Sequence, residues 1–395
     1  MKILLVNDYG IPQGGAEIQM FRLRQLLREK GHDARIFTSS VQNGNFINSA
    51  DYHCLGTVSS FRTLLQTFNP WAYFKLKKVL REFRPDIVHV KIFLTQLSPT
   101  IMPLLRDVPS ILHVAWYRPI CPTGTKLLPD GGICTVRPGI SCYRYGCLPM
   151  RDWVPLMIQL RLFRQWRSAF NTILANSESV RDTLLLNGID GVEVLHYGIP
   201  GRPVSPSLLL EIPTVVYAGR LVREKGVDIL LRAFAKTTER LPSARLLIAG
   251  DGPKRNELKL LISDLNIASK TTLCGHLSQT ELDNILGRAW VRAVPSVWAE
   301  PFGITVVEAM MRGTAVVASD SGGPREIIEN GKSGFLVPPG DVDALAGKLL
   351  LLLSDRNLSE TLGRAGRSIS ESRFSEELFL GKLLDIYERL LVRAA

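Results

Sequence analysis

Short apolar runs alternate with longer amphipathic stretches along the whole chain. In the first half, six runs have the length of buried strands, at residues 3–6, 35–38, 86–90, 110–115, 172–175 and 192–195. A second series follows at residues 215–218, 244–249, 271–274, 292–294, 315–318 and 335–337. Between the runs, apolar residues recur every three or four positions, which predicts helices that each bury one face. The pattern therefore predicts parallel strands joined by crossover helices.

A Pro-rich stretch with little periodicity separates the two series. It contains Pro200, Pro203, Pro206 and Pro213, so we predict an N-terminal domain at residues 1–200, a linker at 201–213 and a C-terminal domain at 214–374. Residues 375–395 form a predicted helix that we expect to pack back on the N-terminal domain. The predicted fold class is α/β, with two doubly wound Rossmann-like domains and a central cleft.

The composition is typical of a globular protein. Apolar residues make up 46% and charged residues 22% of the 395 residues, without a run of about 20 apolar residues that would span a membrane. The first apolar run is too short for a signal peptide. We therefore expect a cytoplasmic protein, either free or at the inner face of the membrane.

The net charge of +11 is concentrated in the first half. Residues 1–205 hold 24 Lys and Arg against 14 Asp and Glu, so +10 of the total lies there. Residues 69–81 and 156–167 both mix aromatic with basic side chains. Either segment could lie on an anionic membrane as a basic amphipathic helix. The alternative is a helix that packs on its own sheet and keeps its basic side chains in water.

Four cysteines fall in one loop rich in Gly and Pro, namely Cys121, Cys134, Cys142 and Cys147. Their spacing matches none of the common zinc signatures. Three interpretations stay open: reduced structural thiols, a metal-binding or redox-sensitive clamp, or disulfides.

Two carboxylates bracket a turn in the second half. Glu300 precedes the Phe302-Gly303 turn, and Glu308 lies inside the helix predicted to begin near Ile304. Unpaired backbone N–H groups at a helix start carry a partial positive charge that suits a phosphate. The alternative is a solvated helix with an ordinary acidic first turn.

Cations and glycines follow the predicted strands. Arg220 and Lys225 lie in the loop after the first strand of the second domain, where both could reach a diphosphate. Gly250 begins a tight turn after the next strand, which we expect to shape the backbone near the base. In the first domain, Gly14 and Gly15 follow the first strand and could let the backbone approach a phosphate or sugar. Neither domain has the Gly-x-Gly-x-x-Gly fingerprint of dinucleotide oxidoreductases.

Together these motifs resemble the retaining nucleotide-sugar glycosyltransferases of family 4, which have the GT-B fold. The resemblance rests on Gly-Gly-Ala-Glu near the N-terminus, Gly-Arg-Leu, Gly-Asp-Gly-Pro, and the Pro-Ser-x3-Glu-Pro-Phe-Gly-x4-Glu-Ala-Met stretch, and it covers nearly the whole chain. It implies Arg220 and Lys225 on the donor diphosphate, Glu308 on the ribose hydroxyls, and Glu300 with Phe302 and Gly303 around the transferred sugar.

A subgroup of that family has a His-x2-Trp-x4-Cys-Pro stretch before a loop that bears cysteines. Residues 113–122 resemble it, so His113 corresponds to the active-site histidine of the family. The resemblance implies His113, Glu300, Arg220 and Lys225 as the catalytic set, and Val114 stands where the family usually has Asp.

The resemblance implies transfer of a sugar, with retention of configuration, to a hydroxyl of a glycan or lipid-linked acceptor in cell-surface polysaccharide or glycolipid biosynthesis. We expect no cofactor and no metal, because two cations and a helix end can balance the phosphates. The expected partners are the donor, the acceptor and an anionic membrane, without nucleic acid. Two alternatives are a GT-B sugar-nucleotide epimerase and a non-catalytic protein that binds nucleotide sugars.

Overall fold

The computed structural model describes residues 1–11, 14–41, 48–59, 61–202 and 209–394. The chain divides into two compact units, an N-terminal unit of Met1–Tyr197 with Phe379–Ala395 and a C-terminal unit of Gly198–Leu378. Pro203 and Pro206 of the predicted linker lie outside the described residues. Each unit is a parallel sheet with helices, so the predicted fold class of two Rossmann-like domains is confirmed.

Seven described strands form the sheet of the N-terminal unit in the order β3-β2-β1-β4-β5-β6-β7. Their bounds are β1 Lys2–Tyr9, β2 Asp33–Ser39, β3 Tyr52–Cys54, β4 Ile87–Val90, β5 Ser110–Val114, β6 Thr172–Ala175 and β7 Val192–Val194. The central strands β4 and β5 are buried at every position. Burial on both faces explains why these strands read as continuous apolar runs and not as alternating ones.

The C-terminal unit repeats this plan, with six strands among its described residues in the order β10-β9-β8-β11-β12-β13. Their bounds are β8 Thr214–Ala218, β9 Arg245–Ala249, β10 Thr271–Gly275, β11 Val291–Val294, β12 Ala315–Ser319 and β13 Phe335–Val337. Its hydrophobic core joins the sheet to the helices that follow β8 and β13, through residues such as Val215, Phe234 and Leu349.

Helices connect the strands of both sheets. In the N-terminal unit they are α1 Gly15–Glu29, α2 Arg62–Thr67, α3 Pro70–Phe83, α4 Ser141–Arg144, α5 Met150–Trp166 and α6 Glu178–Leu186. The later helices are α7 Val227–Arg240, α8 Arg255–Asp264, α9 Gln279–Arg288, α10 Ile304–Met311, α11 Pro324–Ile327, α12 Val342–Ser354, α13 Arg356–Phe374 and α14 Glu376–Ala394. Within the described ranges, none of these helices is both long and apolar enough to cross a membrane.

The strands lie where the pattern predicts them, whereas β3 and α13 were not predicted. Strand β3 is only three residues long, too short to give a pattern. Helix α13 packs on α10 and β12, but its buried positions include the small residues Ser359, Gly363 and Gly366. Because Leu362 and Phe374 are the large apolar residues among its buried positions, the apolar stripe of this helix is sparse, and the hydrophobic pattern does not reveal it.

The last helix, α14, lies mostly in the N-terminal unit. The Tyr387 hydroxyl is 2.7 Å from Nδ1 of His89 on β4, and Arg389 pairs with Glu193 on β7 at 2.6 Å. Tyr387 is buried. The residues that end the chain in sequence therefore complete the packing of its first domain.

Candidate active site

Strands β8 and β11 are neighbours at the centre of the C-terminal sheet. The chain leaves β8 towards β9 on one side, and leaves β11 towards β12 on the other. Such a switch point opens a crevice at the carboxyl ends of the strands, where ligands of α/β proteins bind. The loop after β8 carries Arg220 and Lys225, and the loop after β11 carries Glu300.

The partly buried Lys225 and the buried Glu300 form an ion pair at this switch point. The Lys225 Nζ lies 2.6 Å from Glu300 Oε1, and the Ser296 hydroxyl donates to the same oxygen. Burial raises the pKa of Glu300. The charge of Lys225 and these hydrogen bonds lower it by a larger amount, so the net shift of the pKa is downward. The carboxylate is therefore ionised.

Helix α10 begins directly beside this pair. Gly303 is its N-cap at φ +99°, and no side chain caps the first turn. The side chain of Phe302 is buried against Phe374 at 5.7 Å between ring centroids, so only its backbone is available to a ligand. The N–H groups that begin at Ile304 form the kind of uncapped helix start that binds anions.

Arg220 and Glu308 have looser surroundings. Arg220 is 66% exposed in its side chain and lies 3.7 Å from Glu224. Glu308 lies on α10 and is half-buried, with its backbone carbonyl accepting from Arg312. The structure thus joins Lys225 to Glu300, while neither Arg220 nor Glu308 belongs to that pair.

Glycines allow close backbone contacts along the same sheet edge. A Cβ on Gly250, at φ +133°, would lie 1.9 Å from the carbonyl oxygen of Gly219. A Cβ on Gly322 would lie 2.2 Å from the backbone carbonyl oxygen of Glu300, and the N–H of Gly323 donates to that carbonyl oxygen at 2.8 Å. The turn at Gly322 and Gly323 therefore packs directly on the backbone of Glu300.

The other predicted site residues lie in the N-terminal unit, whose switch point lies between β1 and β4. Gly14 is the N-cap of α1 and Gly15 its first residue, and this helix start also lacks a capping side chain. The preceding Pro12 and Gln13 lie outside the described residues. Glu17 lies in the first turn of α1.

His113 is fully buried near the end of β5. Its ring stacks on His89 at 5.5 Å and lies 5.2 Å from the ring of Tyr197. Neither ring nitrogen has a hydrogen-bond partner among the described residues. Burial, together with the charges of His89 and Lys91, lowers the pKa of His113 well below its usual value. The imidazole is therefore neutral at physiological pH.

Lys91 was not predicted from the sequence as a site residue. It follows β4, is buried, and places its ammonium 4.3 Å from the ring centroid of Tyr197. Burial lowers its pKa to about 7, against the opposing charge of Glu17. The signal in the sequence was its position directly after a central strand at the carboxyl edge.

The four loop cysteines are all free thiols, with Cys121 and Cys142 buried. Across the described ranges, no group of three or more His, Cys, Asp or Glu side chains is placed to hold a metal ion. The loop follows β5 and contains only the short helix α4. Of the three interpretations, the free thiols agree with the first.

Two models of known protein families match the chain. Residues 207–369 match the model described as glycosyl transferases group 1, and residues 13–201 match glycosyltransferase family 4. Matches to glycosyltransferase models thus extend over most of the chain. They support the predicted family, while the cysteine-bearing subgroup stays a prediction.

Individual relatives differ in how much of the chain they match. Over 401 residues, covering 98% of this chain and 94% of the relative, it is 26% identical to phosphatidyl-myo-inositol mannosyltransferase of Mycolicibacterium smegmatis. It is 34% identical over 181 residues to GDP-mannose-dependent alpha-(1-6)-phosphatidylinositol monomannoside mannosyltransferase of Mycobacterium tuberculosis, covering 44% of this chain and 47% of that one. With several relatives the match spans about half of their length or less.

Among solved structures, Anabaena HepE in complex with UDP is similar. Its TM-score is 0.71 at 19% identity, covering 98% of this chain and all of that one. At this identity the likeness shows the fold alone, and it agrees with the two Rossmann-like domains of the GT-B architecture.

Proposed function

We propose that this protein is a family 4 glycosyltransferase that moves a sugar from a nucleoside diphosphate sugar to a hydroxyl of a glycan or lipid-linked acceptor, with retention of anomeric configuration, in cell-surface polysaccharide or glycolipid biosynthesis. The observation that carries the proposal is the Lys225–Glu300 ion pair, with its buried carboxylate, beside the uncapped start of α10. This arrangement offers a cation and free N–H groups to a diphosphate, and a carboxylate to sugar hydroxyls.

Transfer requires that the diphosphate leave while positive charge develops on the sugar. Groups fixed before the reaction stabilise such charge most effectively. Lys225 is held by Glu300, and the α10 amides are held by the helix, so both are preorganised. Arg220 is exposed and would close on the phosphates when donor binds. His113 is proposed to act at the sugar as a neutral imidazole.

The first test uses Arg220→Ala and Glu300→Ala. Each variant is expected to lose nearly all transfer while its circular dichroism spectrum stays that of the parent protein. The anomeric configuration of the early product, read by NMR, is expected to equal that of the donor. Full activity in either variant would refute the site, and an inverted product would refute retention.

The donor base is the next unknown, since the names of the relatives mention GDP-mannose and UDP. A thermal-shift screen with UDP, GDP, ADP and TDP would identify it, because a ligand that binds only the folded state raises the unfolding temperature by mass action. We expect one base to give the largest shift, and no shift with any of the four would contradict the proposed donor class.

We propose further that no metal is required. Arg220, Lys225 and the α10 start together can balance a diphosphate, as Mg²⁺ does in other nucleotide sites. Transfer is therefore expected to continue at the same rate in excess EDTA. A loss of rate that added Mg²⁺ or Mn²⁺ restores would overturn this point.

A lipid-linked acceptor is favoured by the surface of the N-terminal unit. Aromatic and apolar side chains are exposed along α2, at the two residues that flank it and in the first half of α3, namely Phe61, Leu64, Phe68, Trp71 and Phe74. Lys75, Lys77, Lys78 and Arg81 are exposed beside them on α3. Exposed aromatics bordered by cations are typical of helices that lie on anionic membranes.

The sequence left open whether residues 69–81 lie on a membrane or pack on their own sheet, and helix α3 bears on that choice. It packs Ala72, Leu76, Val79 and Phe83 inward, as a helix on its own sheet does, and still exposes Trp71 and Phe74. Because the buried stripe is complete without these two aromatics, their exposure needs a different explanation. Contact with an anionic membrane is the one we propose.

Liposome flotation tests this contact with a matched pair of variants. Phe74 and Leu260 are both 68% exposed, but Leu260 lies on α8 of the C-terminal unit. Phe74→Ser is expected to reduce flotation with anionic vesicles at low salt several-fold, whereas Leu260→Ser leaves it unchanged. Equal effects, or no flotation of the parent protein, would favour a soluble acceptor.

A further inference from the structure

Lys91 brings a buried ammonium to the switch point of the N-terminal sheet. The residue directly follows β4, and its backbone N–H donates to the carbonyl oxygen of Val6 on β1 at 2.9 Å. It is 3% exposed, and its ammonium has no hydrogen bond and no ion pair with any residue that the structure describes. A buried ammonium without such a partner is strongly unfavourable. A group that is absent from the chain itself is therefore needed to pair with it.

Other buried polar atoms without partners lie beside this ammonium. Lys91 and His113 are the residues that follow the last register pair of β4 with β5, and both lie against the ring of Tyr197, at 4.3 and 5.2 Å from its centroid. The ring of His89 stacks on that of His113. Among the described residues, Nε2 of His89 and both ring nitrogens of His113 lack a hydrogen-bond partner. A ligand that carries an oxyanion next to a hydroxyl would supply both the missing charge and the missing hydrogen bonds.

The charge of Lys91 is poised to respond to such a ligand. Glu17, in the first turn of α1, acts on it from a distance, but these two described residues form no ion pair. With burial as the main cause, the pKa of Lys91 is lowered to about 7. An opposite charge close to the ammonium favours the protonated form and raises the pKa. Binding of an oxyanion at this place is therefore expected to be coupled to uptake of a proton.

We propose that Lys91 binds an oxyanion of the acceptor, a phosphate or a carboxylate, that lies close to the hydroxyl which receives the sugar. This inference rests on the proposed function, in which the neighbouring His113 acts at the sugar. The donor diphosphate is not the anion meant, because the C-terminal unit offers it Lys225 and the start of α10. The acceptor is therefore an anionic hydroxyl compound, and a neutral glycan is a poor substitute for it.

The first experiment compares three small probes that share a hydroxyl-bearing skeleton, namely glycerol 3-phosphate, glycerate and glycerol. NMR titration of the full chain gives their dissociation constants. A hydrogen bond to a charged group is worth roughly ten- to a hundredfold in affinity, so the parent protein should bind one of the two anions at least about tenfold more tightly than glycerol. The tighter anion identifies the oxyanion as phosphate or carboxylate.

Substitution of Lys91 should remove this preference. Lys91→Met is expected to bind the anions and glycerol within about twofold of one another, whereas Lys91→Arg keeps the charge and most of the preference. The control is Lys126→Met, because Lys126 is also buried in the N-terminal unit but donates to the carbonyl oxygen of Val136 at 2.9 Å. It should keep the preference of the parent protein. Nucleoside diphosphates should bind the parent protein and Lys91→Met equally.

A second readout follows the titration of Lys91 itself, by NMR of the protein labelled with ¹³C-lysine. The signal of Lys91 is identified by its loss in Lys91→Arg, so the measurement does not depend on the folding of Lys91→Met. Its pKa should rise when the tighter anion saturates the site, and stay unchanged in glycerol. A lysine with a structural role only would show the same pKa in both.

Equal binding of the anions and glycerol by the parent protein overturns the inference alone, as does an unchanged preference in folded Lys91→Met. Weaker binding of nucleoside diphosphates by Lys91→Met does so too, because the anion at Lys91 would then belong to the donor. A parent protein that binds none of UDP, GDP, ADP and TDP overturns the proposed function, and with it the assignment of the anion to an acceptor.

Discussion

The two units have the same kind of switch point but place different groups at it. At the β8–β11 edge, opposite charges are paired at 2.6 Å between Lys225 and Glu300. At the β1–β4 edge, the bases His89, Lys91 and His113 are buried together. Topology therefore fixes where a ligand binds, while the residues decide how far the site is organised beforehand. The C-terminal site is preorganised for an anion, whereas burial lowers the pKa of each of the three bases at the N-terminal site.

The largest expected effect comes from breaking the pair in the C-terminal unit. Lys225→Met should lower kcat/KM for transfer about 100- to 1000-fold, because a preorganised charge at the leaving group is lost. The exposed Lys236, which pairs with Asp343 on the surface, supplies the control variant Lys236→Met, expected to be fully active.

Lys225→Met also leaves Glu300 buried without its cation. The double variant Lys225→Met/Glu300→Gln separates stability from chemistry, since it removes both charges together. It should regain the thermal stability lost in the single variant and stay inactive. Recovery of transfer in the double variant would exclude the proposed role of the pair.

The next largest effect is expected from changing the glycine turn that contacts the Glu300 backbone. Gly322→Ala should lower the free energy of unfolding by about 3 kcal/mol, because its Cβ would overlap the Glu300 backbone and its φ is +67°. Gly347→Ala is the control, since this glycine lies in α12 with nothing within 4 Å of the added Cβ. This substitution should raise the free energy of unfolding by about 1 kcal/mol. Chemical denaturation measures both, and equal effects would argue against the close contact.

A smaller effect tests the buried bases of the N-terminal unit. The pKa of Lys91 is lowered to about 7 in the folded protein from 10.5, so between these values the unfolded chain binds the extra proton. Stability contributed by Lys91 therefore rises with pH from about 7 towards 10.5, with a slope of up to about 1.4 kcal/mol per pH unit.

Lys91→Met should remove that part of the slope. Urea denaturation of the variant and the parent protein between pH 7 and 8.5 measures the difference. The facing groups His89, His113, Tyr197 and Glu17 are common to both proteins, so their titration cancels in the comparison. Parallel stability curves would show that Lys91 is charged when folded.

The smallest effect concerns the exposed cation of the C-terminal site. Arg220→Lys keeps the charge but loses bidentate contact, so the dissociation constant for the nucleoside diphosphate should rise about fivefold. Arg223→Lys, at the neighbouring 3-10 turn, should change it less than twofold. Calorimetry distinguishes the two, and an unchanged constant in Arg220→Lys would remove this residue from the phosphate site.

Most of the fold could be predicted because it depends on patterns that lie close together in the sequence. Strands such as β4 and β5 are buried throughout, so each reads as an apolar run. Helix α13 was not predicted because many of its buried positions are small residues. The site was partly predictable, since motifs place Glu300 and Lys225 in loops after strands.

Other features of the site depend on residues distant in sequence. The sequence does not reveal that Lys225 and Glu300, 75 positions apart, pair at 2.6 Å. It gives no sign that Gly322 presses against the Glu300 backbone, or that Arg292 enters the core, because a strand residue shows its environment only after its neighbours are in place.

By itself the sequence determined the two α/β units and their strands, and its motifs predicted the family, because hydrophobic period and short motifs are local properties of the chain. Only the tertiary structure decided which charges meet, which bases are buried and which aromatics stay exposed. The pKa of Glu300 is lowered because the carboxylate pairs with the charge of Lys225. The pKa of Lys91 is lowered to about 7 mainly because burial removes its ammonium from water. Both outcomes depend on distances across the fold, which no local pattern contains.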